Sequence, residues 1–255
     1  MQTIAQSKMN PIVGQHLDVY HQERDTLLTR AKMLVEQDDR VCAAWLFGSL
    51  GRGDADEWSD IDLFVVIHEA QFEEIVAARY AYMARLDEPV LILEAPQNRP
   101  PGGVYNMALY PGEFGPHQVD WYWVRQSAAQ MPTEIALWFD RVGLPRLDAP
   151  THFSYAPVPE RSQAEIASQA VNMFWAMLLI TAKYLAREPE EEMGLLPGVE
   201  KAYQQVAAFT TSTIALSPHE PAPQTPLAKV GLLRQWAWTM EQVMVSQFFA
   251  KLGKG

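Results

Sequence analysis

The sequence predicts an α+β fold, a small mixed-sheet domain followed by a helical-bundle domain, and three observations predict it. Short apolar runs of strand length alternate with helical patterns as far as Val124. Strand patterns stop after Gln126, and from Ser162 onward apolar residues recur only at helical spacing. The expected boundaries are residues 1–142 for the first domain with its leading helix, 143–160 for a linker, and 161–255 for the helical domain.

In chain order, Leu17, Tyr20, Leu27, Leu28, Ala31, Met33 and Leu34 lie near helical spacing among scattered charges, which predicts an amphipathic helix over 15–38. Val41 to Phe47 is an apolar run of strand length, and the turn at Gly48-Ser49 is expected to open the next helix. Ile61 to Ile67 is the second strand. Phe72, Ile75, Val76, Ala78 and Met83 give helical spacing over Gln71 to Leu86, and Pro89 to Glu94 reads as a third strand. Pro100-Pro101-Gly102-Gly103 breaks the chain. Val104 to Tyr110 and His117 to Val124 then form a hairpin around Pro111 to Gly115. Gly143 to Pro159 has no sustained period and reads as the linker. Ser162 with Glu165 makes a capping-box pattern that starts a helix running to Arg187, and Pro189 closes it. Val199 to Leu216 and Leu227 to Leu252 are two further helices, separated by the proline-rich stretch from Ser217 to Pro226.

Composition bounds the function. At 255 residues with 48% hydrophobic content and eight tryptophans, the chain can bury a core and is not of the disordered class. Cys42 is the single cysteine, which excludes an internal disulfide framework and a cysteine-rich metal site. No apolar signal core opens the sequence, and the longest apolar stretch, Met173 to Ala182, is too short to span a bilayer. A soluble cytoplasmic protein with no membrane association is expected. The net charge of −11 sits in the first part: residues 1–150 hold 22 Asp and Glu against 12 Lys and Arg, whereas residues 151–255 hold nine against eight. Such acidity repels a polyanion, because nucleic-acid affinity rests largely on neutralising phosphates. It favours a small acceptor, which a cationic molecule would suit, over nucleic acid, although acidity that serves only solubility would look the same.

The chemistry concentrates in Leu46-Phe47-Gly48-Ser49-Leu50-Gly51-Arg52-Gly53 and Ser59-Asp60-Ile61-Asp62-Leu63. Successive side chains on a strand alternate between faces, so Asp60 and Asp62 project together while Ile61 and Leu63 point into the core. Two carboxylates at the mouth of a buried strand repel one another and lose solvation unless a cation offsets both effects. Beside them lies a glycine-serine turn. Amides opening a helix point at an anion, glycine allows phosphates to approach, and the serine hydroxyl adds a donor. Magnesium-dependent chemistry on a nucleoside triphosphate needs these groups. Arg52 is within reach of the same loop and suits a leaving pyrophosphate, although an ordinary surface arginine would look the same. Gly51 and Gly53 serve either an uncrowded loop or turn geometry.

An apolar residue, Gly-Ser, ten intervening residues and then Asp-apolar-Asp-apolar resembles the nucleotidyltransferase superfamily that includes DNA polymerase beta. The resemblance implies a magnesium-dependent transfer of a nucleoside monophosphate, AMP from ATP or its counterpart from another triphosphate, to an acceptor hydroxyl with release of pyrophosphate. It implies magnesium held by Asp60 and Asp62, and a third carboxylate on a neighbouring strand that completes the metal site or accepts the acceptor's proton. Asp120, alone in Val119-Asp120-Trp121-Tyr122-Trp123-Val124, is the first candidate; Glu94 is the second, and Glu113 has a weaker claim. Gly48, Ser49 and Arg52 would hold the nucleotide. The later helix narrows the resemblance towards lincosamide nucleotidyltransferases and, more distantly, the aminoglycoside enzymes. Trp175 and Lys183 are spaced as in the lincosamide enzymes, and Lys183 is the one basic residue in an apolar run, so the resemblance assigns it to the triphosphate. The expected acceptor is then a hydroxyl of a small molecule, an aminoglycoside or lincosamide antibiotic among them. The alternatives are transfer to a protein or tRNA, as in antitoxin-type members, and an inactive nucleotide-binding protein.

Overall fold

Two apolar runs form the middle of a sheet: Val41–Phe47 (β1) is buried along its whole length and pairs antiparallel with Ile61–Ile67 (β2). The computed structural model describes residues 11–150, 162–187, 196–208 and 237. The chain divides into two compact units, 1–159 and 160–255.

Six strands make the sheet of the first unit, in the order β3-β4-β5-β2-β1-β6. The outer members are Leu91–Glu94 (β3), Gly103–Tyr110 (β4), His117–Arg125 (β5) and Ala136–Asp140 (β6). β4 and β5 are the expected hairpin, with Tyr110 opposite His117. β2 and β5 run parallel, the single parallel pair of the described sheet, so the fold is mixed α+β as expected. Three helices contribute to the core on one face: Pro11–Glu36 (α1) brings Leu27, Ala31 and Val35, Phe72–Ala77 (α3) brings Phe72 and Ile75, and Arg79–Ala84 (α4) brings Tyr82 and Met83. They meet Ile61, Leu63, Val65 and Ile67 from β2 and Trp121 and Trp123 from β5. The two indoles stack with centroids 5.0 Å apart. Side chains of this size contribute about 1.5–3 kcal/mol each when fully buried. The opposite face carries the alternate residues, where the rings of Phe47, Phe64, Tyr105 and Tyr122 touch in succession.

Two elements differ from expectation. The helix over Gln71 to Leu86 is interrupted at Ala78 (φ −95°, ψ 8°), between α3 and α4. Arg79 donates to the Val76 carbonyl and to Asn106 Oδ1, and pairs with Glu94, so the break lets this side chain reach the sheet. Strands also do not stop at Gln126: β6 adds to the free edge of β1. Its five residues are bounded by a tight stop, in which the Asp140 carboxylate accepts from the amides of Val142, Gly143 and Leu144. The stretch that reads as the start of a linker is held on the first unit, with Met131 bonded to Pro145 and Leu147, and Thr133 to Ala149.

In the second unit Gln163–Arg187 (α5) begins right after Ser162, where the capping pattern places it. It packs on Leu196–Ala208 (α6) through Ala170, Phe174, Val199, Ala202, Tyr203 and Val206. The rest of the helix expected to reach Leu216, and the helix over Leu227 to Leu252 apart from Ala237, lie outside the described residues. No described helix is long and apolar enough to cross a membrane.

Candidate active site

β1 ends at Phe47, directly opposite Asp62 of β2. The chain then turns through Gly48 into a five-residue helix, Gly48–Arg52 (α2), so the turn begins where the carboxylate stands. Gly48 has a left-handed φ of +64°, and a Cβ built there would lie 2.1 Å from Asp62 Oδ2. Glycine is required twice over, by conformation and by the closeness of the acid. Gly51 has a different reason: its Cβ would meet the Leu46 carbonyl at 2.7 Å and the Glu134 carbonyl at 3.0 Å, so it seats α2 on the sheet. Gly53 serves turn geometry, with φ +79° and open space around it; its amide returns to the Ser49 carbonyl at 2.9 Å.

On its other side Asp62 is registered with Asp120 across the parallel β2–β5 pair. Registered neighbours share a face. Asp120 is 9% exposed, and Asp62 is half-buried. Asp60 precedes β2 by one residue, at the parity that returns it to the same face. The loop before it is fixed by Asp56, whose carboxylate accepts from the Trp58 amide and the Ser59 hydroxyl, and whose carbonyl accepts from Arg24 of α1 at 2.9 Å. The convergence of the acids registers on Tyr122: burial and then the negative fields of Asp120, Asp62 and Asp60, in that order, drive its hydroxyl far above the usual phenol range.

The runner-up acid does not join them. Glu94 is registered with Asn106, and Asn106 with Trp121, which places Glu94 on the face opposite Asp120. It is also bonded to Arg79 and Tyr80. Glu113 is exposed in the β4–β5 turn, its amide donating to Glu23. Arg52 lies at the end of α2 and is ion-paired with Asp54 at 3.0 Å, a bond that raises its pKa. Ser49 lies in the first turn of α2, half-buried. Lys183 stands in the second unit on α5, only 7% exposed, and Trp175 is half-buried on the same helix.

Two participants escape sequence reasoning. Gln118 Nε2 donates to Asp120 Oδ1 at 3.1 Å. Tyr105 is buried on the face of Asp120; burial first, and the Asp120 charge next, raise its pKa well above the usual range. Gln118 lies two residues before Asp120 on one strand, so period-two alternation could have found it. Tyr105 lies on another strand, and only the β4–β5 register brings it near.

Hard carboxylate oxygens suit magnesium. Among the described residues no three His, Cys, Asp or Glu side chains form a finished metal cage. Magnesium is commonly held by one or two carboxylates together with substrate phosphates rather than by an all-protein cage. Asp62 and Asp120, registered side by side, fit that mode of binding, and Asp60 lies one residue before β2.

Residues 30–107 match the family model described as Polymerase beta, Nucleotidyltransferase. The matched stretch holds the Gly48-Ser49 turn, Asp60 and Asp62, and ends within β4 short of Asp120. No curated protein matches the chain. The match supports the nucleotidyltransferase superfamily for this domain, and nucleotidyl transfer as its general chemistry.

Proposed function

We propose that the chain transfers a nucleoside monophosphate, AMP from ATP in the simplest case, to a hydroxyl of a small molecule and releases pyrophosphate. One observation carries the reading: Asp62 stands between the Gly48 turn on one side and its registered partner Asp120 on the other. A triphosphate seated on the turn brings its phosphates to the carboxylates. Asp60 and Asp62 would hold magnesium, with Asp120 as a further ligand or as the base that accepts the acceptor's proton. Magnesium, when bound with the nucleotide, supplies charge neutralisation at the α-phosphate and the leaving group. The acceptor oxygen forms a bond to the α-phosphorus as the bond to the β-phosphate oxygen breaks. Gly48 and Ser49 line the phosphate path, Arg52 stands near the departing pyrophosphate, and Lys183 is the triphosphate contact assigned by resemblance. Positioning and fixed charge supply most of the rate gain in such a reaction.

The acidic surface supports a small, cationic acceptor over tRNA. Aminoglycosides and lincosamides are therefore the first panel. Magnesium-dependent pyrophosphate release from each nucleoside triphosphate, measured with that panel, should identify a turning-over pair. Asp60→Asn or Asp62→Asn should abolish it with the fold intact, because each removes charge without changing shape. Substantial turnover by either variant at saturating magnesium would sink the metal assignment.

A further inference from the structure

Asp120 is buried, and a buried carboxylate must keep its rotamer and its hydrogen bonds to be of use beside Asp62. A donor reaches it along its own strand, and a buried tyrosine flanks it from the neighbouring one. From its own strand, Gln118, only 6% exposed, shares the face of Asp120 and donates to Oδ1 at 3.1 Å. From β4, Tyr105, 5% exposed, lies diagonally across: Met107 is the registered partner of Asp120, and Tyr105 is two residues away on the same face. Burial, and with it the Asp120 charge, raises the pKa of its hydroxyl well above the usual range. The ring is fixed as well, packed on Tyr122 with centroids 4.9 Å apart. Both side chains are neutral. An arginine or lysine in the same place would orient the carboxylate and also cancel its charge; an amide and a phenol orient it and leave the negative charge available to a divalent cation.

We propose that Gln118, through its hydrogen bond, and Tyr105, through its hydroxyl on the same buried face, are positioning residues that hold the Asp120 carboxylate in the orientation that lets it share a divalent metal ion with Asp62. The proposal rests on the nucleotidyl-transfer reading of the site. Outer partners of this kind govern metal affinity and activity by about ten- to a hundredfold. Gln118→Met keeps the volume and removes the donor; Tyr105→Phe removes a single oxygen.

The test is Mn2+ binding to the full chain, followed by the electron paramagnetic resonance signal of free Mn2+, with no nucleotide present. Gln118→Met and Tyr105→Phe should each weaken binding by about tenfold. Combined, they should lose less than the product of the single effects, because both act on one carboxylate. In the Asp120→Asn background neither substitution should matter further. A general loosening of the fold would weaken binding equally in both backgrounds, and that result overturns the proposal. So does unchanged Mn2+ affinity in Gln118→Met and Tyr105→Phe while Asp62→Asn abolishes binding, an outcome that leaves the site reading standing. Binding indifferent to Asp62→Asn overturns the site reading and this proposal together.

Discussion

At the residue scale, Gly48 concentrates more constraint than any other position in the site. Its φ of +64° lies where an L side chain is strained by about 1–2 kcal/mol, and its missing Cβ is the space taken by Asp62 Oδ2. Gly48→Ala should therefore do two separable things. Thermal unfolding should report a destabilisation of about 1–2 kcal/mol from the backbone. Turnover should fall further, by about a hundredfold, because the methyl displaces the carboxylate by a substantial fraction of an ångström or more. Gly53→Ala is the control: it also has a left-handed φ but meets nothing within 4 Å, so it should lose stability with turnover nearly intact. Equal activity losses at the two glycines would mean that strain alone explains Gly48. The pairing of glycine with aspartate was half legible in the sequence. The motif names both residues, but that one fills the other's absent side chain follows only from Phe47 lying opposite Asp62.

At the scale of elements, β1 and β2 were readable to the residue because a buried apolar run has few other uses, whereas β6 was not. Its five half-exposed residues carry too little pattern, and its existence depends on the free edge of β1. The parallel pairing of β2 with β5 was equally hidden, since it joins segments far apart in sequence. Asp120 was therefore found by its oddness among aromatic residues rather than by its partner. Just before β1, Asp38 illustrates what fixes a strand's entry. The Arg40 side chain grips both carboxylate oxygens, at 2.9 and 2.8 Å, and the Arg40 amide adds a third bond. That grip, chiefly the Arg40 side-chain hydrogen bond, lowers the Asp38 pKa from 3.8 to about 2. A carboxylate depressed in the folded state stabilises above its unfolded pKa, and the contribution disappears as pH falls from about 4 to about 2. Asp38→Asn should accordingly cost about 2 kcal/mol at pH 7, and the deficit relative to the parent should shrink through the acid range. Urea unfolding at pH 7, 4 and 3 measures both. A deficit constant with pH would show that packing, rather than the ion pair, is what the substitution removes.

At the scale of the whole molecule, charge bears on what the proposed site can meet. The first 150 residues carry nearly all of the net negative charge, so the phosphates of the proposed nucleotide would approach an unfavourable field and need local cations. In the proposed reaction magnesium would supply part of that requirement, and Arg52 is committed to Asp54 in this structure. Lys183, on α5 of the second unit, is the other cation that the resemblance assigns to the triphosphate. A lysine that is 7% exposed loses solvation, which costs free energy unless its charge is paired. A charge-assisted contact is typically worth about 1.5–3 kcal/mol, or roughly ten- to a hundredfold in apparent affinity. Lys183→Ala should raise KM for the nucleotide by that factor, with a smaller change in KM for the acceptor. Lys183→Arg should recover part of the loss, since the planar guanidinium is larger and differently directed. Initial rates with the nucleotide varied at saturating acceptor separate this role from a purely structural one. A structural lysine would lower the melting temperature and reduce the amount of active protein while leaving KM alone. That pattern would remove Lys183 from the site and leave the Gly48–Asp62–Asp120 arrangement to bind the nucleotide without it.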